Sequence, residues 1–128
     1  YAPLGDLYKM EVYALAREFN ERIGAMAVNE STLTKPPSAE LAPDQKDEDS
    51  LPPYPILDEI LRLHIEDGLD ATQLVKHGHE IGVVNDVLTR LSRNEHKRWQ
   101  MPPAPRVSMR AFGQGWRQPL AAKHDWRD

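Results

Sequence analysis

The sequence predicts a mainly α-helical chain, broken by one long irregular loop and followed by an extended arm. Apolar residues recur at helical spacing in several separate segments, with glycines or prolines marking their ends. Prolines at 36, 37, 52, 53 and 55 fence off residues 34–54, and those at 102, 103 and 105 forbid helix after Met101.

Residues 4–20 open the helical part. Val12, Leu15, Ala16 and Phe19 fall at i, i+3, i+4 and i+7, with Asp6 as the expected N-cap and Gly24 as the stop signal. Lys9 then sits in the first turn, where a cation opposes the helix dipole by roughly 0.3–1 kcal/mol. A solvated surface lysine and a lysine retained for a ligand both remain open there. Residues 25–33 read as a short apolar patch followed by a turn cluster, Asn29 to Thr32.

The loop of residues 34–54 is polar and acidic, and sets Lys35, Ser38, Asp44 and Asp47 to Asp49 between its proline pairs. Ser38 can cap one helical turn over residues 38–41. The same hydroxyl suits a phosphate oxygen, with Lys35 supplying charge. Composition alone favours a solvated acidic linker.

Residues 55–66 form the second expected helix, opened by Pro55, with Ile56, Leu57, Ile60, Leu61 and Ile65 as its stripe and His64 as a core-edge histidine. Asp70 and Gln73 make a capping-box variant for a short helix over residues 70–77. The His77-Gly78-His79-Glu80 cluster is read as a turn between helices, because one glycine and no i, i+4 pair give poor ligand convergence. No metal-binding residue is assigned.

A fourth, longest helix is expected over residues 80–100, with Ile81, Val84, Val87, Leu88 and Leu91 on its apolar face. It ends in His96, Lys97 and Arg98, which either complement the helix dipole or, with Trp99, suit an anionic aromatic ligand. Beyond it, residues 106–112 read as a short strand or an extended arm, and Phe112, Trp116 and Trp126 as anchors pinning residues 101–128 to a surface.

Composition narrows the function classes. Without cysteine there is no disulfide and no thiolate metal site. The short apolar runs and the first residues, YAPLGDLY, point away from a membrane span or a signal peptide, so a cytoplasmic protein is expected. Residues 1–70 carry 6 basic and 15 acidic side chains, whereas residues 71–128 carry 10 and 5, giving the net charge of -4. The halves should attract each other, and the dispersed positive charge fits a small anionic ligand better than nucleic acid.

Three blocks, PLGDLYKMEVYALAREFN, KPPSAEL followed by DQKDEDSLPPYPILDEIL, and NEHKRWQMPPAP, occur in this order and at these spacings. Together they resemble the C-terminal part of NAD synthetase, in particular the glutamine-dependent type, over nearly the whole chain and fading after Phe112. The resemblance implies the helical C-terminal portion of an α/β nucleotide-binding synthetase domain, with 34–54 as a catalytic loop. It implies formation of NAD from deamido-NAD, ATP and ammonia or glutamine nitrogen, by adenylation of the nicotinate carboxylate and displacement of AMP. Lys9 and Ser38 match positions that contact ATP, and His96 with Lys97 the pair that binds deamido-NAD.

The family's SGG-x-DS phosphate loop has no counterpart here, and the seven glycines include no adjacent pair. The acidic residues that bind Mg2+ and the parallel sheet are also expected before Tyr1. The resemblance therefore implies a piece of the enzyme, inactive alone, joined to an N-terminal part and expected to be homo-oligomeric. Two other readings compete: a stand-alone helical interaction module, in which Lys9, Ser38 and Lys97 do not converge, and a dinucleotide-binding module without catalysis.

Overall fold

A computed structural model describes residues 1–34, 51–113 and 115–120. Among them are six helices and no strand: α1 Lys9–Ile23, α2 Glu30–Thr34, α3 Tyr54–Ile65, α4 Ala71–Lys76, α5 Ile81–Arg93 and α6 Glu95–Trp99. The mainly helical fold is as expected. Residues 35–50 of the expected 34–54 loop, Ser38 among them, and Trp126 lie outside the described residues.

The first helix starts later than the pattern predicts. Asp6 does not cap it. Tyr8 takes the extended N-cap conformation, and its backbone N–H donates to Glu11 Oε2 at 2.8 Å. A carboxylate from another helix completes the start, with Met10 N–H donating to Asp58 Oδ2 at 2.7 Å. At the far end Gly24 adopts φ 62°, the left-handed C-cap where a side chain would be strained. Asn20 then fastens the following segment, exchanging hydrogen bonds with the Val28 carbonyl at 2.8 Å and the Val28 amide at 2.9 Å. The expected turn cluster after it becomes α2, a short helix that buries Leu33.

The core is built by α3, α4 and α5. Ile60, Leu63, Ile65, Ala71, Leu74, Val84, Val87, Leu88 and Leu91 form one buried cluster, with Phe112 and Trp116 packed against it. The buried face of α3 is turned from its expected stripe: Ile56 is exposed, while Leu63 and His64 are buried. Asp70 caps α4 as its spacing indicates, its Oδ1 accepting from Gln73 N–H at 2.8 Å while Gln73 Oε1 accepts from Asp70 N–H at 2.9 Å.

The long fourth helix of the sequence reading is two helices. Asn94 leaves helical geometry at φ -93° and ψ 12°, and its side-chain amide donates to the Arg90 carbonyl at 2.9 Å. The Asn94 backbone N–H donates to the same carbonyl at 3.0 Å, so Asn94 closes α5 as its C-cap and the chain is re-aimed there. The new direction buries Glu95 and Arg98.

After α6 the chain is an arm without regular structure among its described residues. It returns to the N-terminus, where Ala2 N–H donates to the Pro103 carbonyl at 3.0 Å. Gly5 permits this approach, because a Cβ there would sit 3.0 Å from the Ala104 methyl.

Candidate functional site

Lys9 is the first residue of α1 and half-buried. Its ammonium lies 5.1 Å from the Tyr13 ring centroid and 5.9 Å from that of Tyr54, within cation–π range. It lines a pocket of about 170 Å³ with Tyr8, Asp58, Ser108, Arg110 and Phe112. Burial raises the Asp58 carboxyl above its ordinary value; the Met10 and Lys9 amides oppose this, Glu11 reinforces it and the Lys9 ammonium opposes it. Lys9 thus stands at a helix start that already has carboxylates against it, which offsets the unfavourable dipole position.

On the same side, the Tyr8 phenol is pushed well above its usual range by burial, then by the Glu66 carboxylate it hydrogen-bonds, with Glu11 and Asp6 adding to the effect. It is a fixed neutral donor at physiological pH.

His96 and Lys97 are exposed on α6. His96 Nδ1 lies 3.1 Å from the Arg93 carbonyl, which orients the ring from the preceding turn. Neither residue lines the Lys9 pocket, so the structure does not join them to Lys9 in one cavity. Arg98 departs from the reading that grouped it with Lys97 for a ligand. It is buried in an ion pair with Glu95, its guanidinium 4.3 Å from the Trp116 ring centroid and 5.2 Å from that of Phe112. Trp99 remains exposed, with Arg117 4.5 Å from its ring centroid. Burial pushes the Arg98 guanidinium down to about 10, which leaves it charged at neutral pH.

Three carboxylates hold the arm by its backbone. Asp6 Oδ2 accepts from the Val107 and Ser108 amides at 2.7 and 2.8 Å and from the Ser108 hydroxyl at 2.9 Å, while Oδ1 accepts from the Phe112 amide at 2.8 Å. Burial alone would raise the Asp6 carboxyl, but hydrogen bonds from the Ser108, Val107 and Phe112 amides and the Ser108 hydroxyl prevail and hold it below its ordinary value. Glu66 Oε2 accepts from Met109 N–H at 3.1 Å, and Glu95 Oε1 from Gln118 N–H at 3.0 Å. Sequence reasoning assigned none of these roles. Periodicity carries no signal for carboxylates whose partners lie 23 to 106 residues away in the chain.

His64 packs edge-on to Trp116, their centroids 5.5 Å apart, with Nδ1 2.7 Å from the Leu69 carbonyl. Burial lowers its tendency to protonate, the Leu69 hydrogen bond opposes this, and Arg98 reinforces it. Among the described residues no group of three or more His, Asp or Glu side chains could hold a metal ion. Asp6 is saturated by four donors and Asp58 holds the start of α1, so neither is disposed to take the Mg2+ that the resemblance implies.

The family model for NAD synthase matches residues 1–102. The chain belongs to the NAD synthase family. It is 43% identical over 120 residues to a glutamine-dependent NAD(+) synthetase of Thermotoga maritima, covering 94% of this chain and 21% of that relative. Over 123 residues it is 43% identical to the glutamine-dependent NAD(+) synthetase of Aquifex aeolicus, covering 96% and 21%. The glutamine-dependent NAD+ synthetase of Acinetobacter baumannii in complex with ADP aligns with a TM-score of 0.53 and 32% identity, over 90% of this chain and 19% of that one. The chain therefore spans about a fifth of the length of these relatives.

Proposed function

We propose that this chain is the C-terminal helical portion of a glutamine-dependent NAD synthetase, an ATP-dependent ligase that amidates deamido-NAD. The observation that carries this is 43% identity, over nearly the whole chain, to relatives bearing that name. Lys9 and Ser38 are assigned to ATP, and His96 and Lys97 to deamido-NAD. The half-buried Lys9 ammonium, in the wall of a pocket that Arg110 also lines, suits a group on which negative charge grows as pyrophosphate leaves. The adjacent His96 and Lys97 on exposed α6 suit anchoring of an anionic dinucleotide while its carboxylate is adenylated and then taken by ammonia. Their work is binding and orientation. The remaining phosphate-binding and Mg2+-binding groups are assigned to the N-terminal part of the enzyme, so the chain by itself turns over negligibly.

We place the enzyme in the cytoplasm as a homo-oligomer, with neither nucleic acid nor membrane as partner. No described helix is long and apolar enough to cross a membrane. Apolar surface on α1, where Leu15, Phe19 and Ile23 are exposed, fits burial against protein outside these residues. That surface, and the separation of Lys97 from the Lys9 pocket, also favour a second reading as a helical interaction module. The test is NAD and AMP formation from deamido-NAD, ATP and ammonia by the full-length polypeptide, wild type against Lys9→Ala. A loss of at least about tenfold in kcat/KM for ATP is expected, equivalent to roughly 1.4 kcal/mol. Wild-type levels in the variant would remove Lys9 from the site, and an inert wild type would favour the interaction module.

A further inference from the structure

We propose that the arm after α6 is a positioning brace joining the two substrate-binding segments. Asp6 acts as the positioning residue for Lys9, and Arg98 with Trp116 for His96 and Lys97. This rests on the functional reading above and goes beyond it, since none of these three residues is assigned to a substrate.

The brace has two ends. At one, Asp6 lies three residues before Lys9 and gathers the Val107, Ser108 and Phe112 amides and the Ser108 hydroxyl, all within 2.9 Å. Ser108 and Phe112 themselves line the pocket beside Lys9, so the latch and the pocket wall are one piece of chain. At the other end, Arg98 follows Lys97 directly. Its guanidinium is buried between Glu95 and the Phe112 and Trp116 rings, and Glu95 also holds the Gln118 amide. A five-residue helix cannot fix its own orientation through its backbone hydrogen bonds. The face of α6 that carries Glu95 and Arg98 is therefore what sets where His96 and Lys97 point. Phe112 belongs to both ends: its amide goes to Asp6 and its ring to Arg98.

The two ends make separable predictions. Steady-state constants for ATP and deamido-NAD are measured on the full-length polypeptide carrying Asp6→Asn, Ser108→Ala, Ser108→Thr or Arg98→Lys. Asp6→Asn should raise KM for ATP about tenfold and leave that for deamido-NAD nearly unchanged, and Ser108→Ala should do the same more weakly. Ser108→Thr keeps the hydroxyl and should restore wild-type constants. Arg98→Lys keeps the charge but lacks the flat guanidinium that stacks on Trp116, and should raise KM for deamido-NAD instead. Ser108→Ala and Arg98→Lys are mild enough to keep the test open if Asp6→Asn does not fold. Constants that move together in every variant, a fall in kcat with both KM values fixed, or no change would overturn the brace while leaving the synthetase reading intact. A wild type that uses neither substrate would remove both.

Discussion

The core and the arm are held by opposite kinds of force. In α3, α4 and α5, Ile60, Ile65, Leu74, Val84 and Leu88 are wholly buried, and burial of each such side chain is worth roughly 1.5–3 kcal/mol. The arm places Phe112 and Trp116 against that core, but its path is set by amides that donate to Asp6, Glu66 and Glu95. Prolines at 102, 103 and 105 exclude the arm's start from a helical ladder, so its amides need acceptors from elsewhere. Directional, partly ionic bonds fix position more sharply than apolar contact does, and they respond to pH and to single-atom changes. Lys9 and Lys97 lie on the segments these polar bonds anchor.

Arg98→Met should produce the largest effect, a loss of about 3–5 kcal/mol in denaturant unfolding, because Glu95 is left as a buried charge without its counter-ion. Adding Glu95→Gln should recover part of that loss. Leu88→Ala should cost about 2–5 kcal/mol through the cavity it leaves in the core, and that loss should be independent of pH. Acid should separate the two regions. Asp6 is depressed in the folded chain, so its contribution is complete above the ordinary carboxylate value of 3.8 and is lost as pH falls through the lower folded value. His64, also depressed, begins to oppose folding as pH falls below 6.5. Stability followed by tryptophan fluorescence should decline in both windows, and the lower one should vanish in Asp6→Asn. The smallest effect belongs to the exposed stripe: Leu15→Gln on α1 should change stability by no more than about 0.5 kcal/mol. A larger loss would mean that α1 is covered within this chain.

What the sequence made legible follows the same division. The Asp70–Gln73 spacing marked α4, and helical periodicity marked α1, α3 and the apolar face of α5, of which α3 and α5 bury side chains at that spacing. It gave α1 a stripe as clear as any other, yet Leu15 and Phe19 are exposed; a pattern records that a face is apolar, not what covers it. Charged residues on both sides of Asn94 make α5 and α6 look continuous, whereas the C-cap at Asn94, with its side-chain amide on the Arg90 carbonyl, is a local feature that periodicity does not record. The position of Asp6 before the helix suggests a cap, but its partners lie in the arm. Adjacency in sequence groups Arg98 with Lys97, but neighbours on a helix face in different directions, and Arg98 turns inward to Glu95.

The proposed role of α6, held by the arm, is to present a dinucleotide-binding lysine, Lys97. Its most direct test is calorimetric titration of the full-length polypeptide with deamido-NAD, wild type against Lys97→Ala, with circular dichroism confirming that both are folded. The wild type should bind, and binding should weaken by about tenfold or more on substitution, a difference of at least roughly 1.4 kcal/mol. Equal affinity in the two proteins would contradict it and leave α6 a structural element alone.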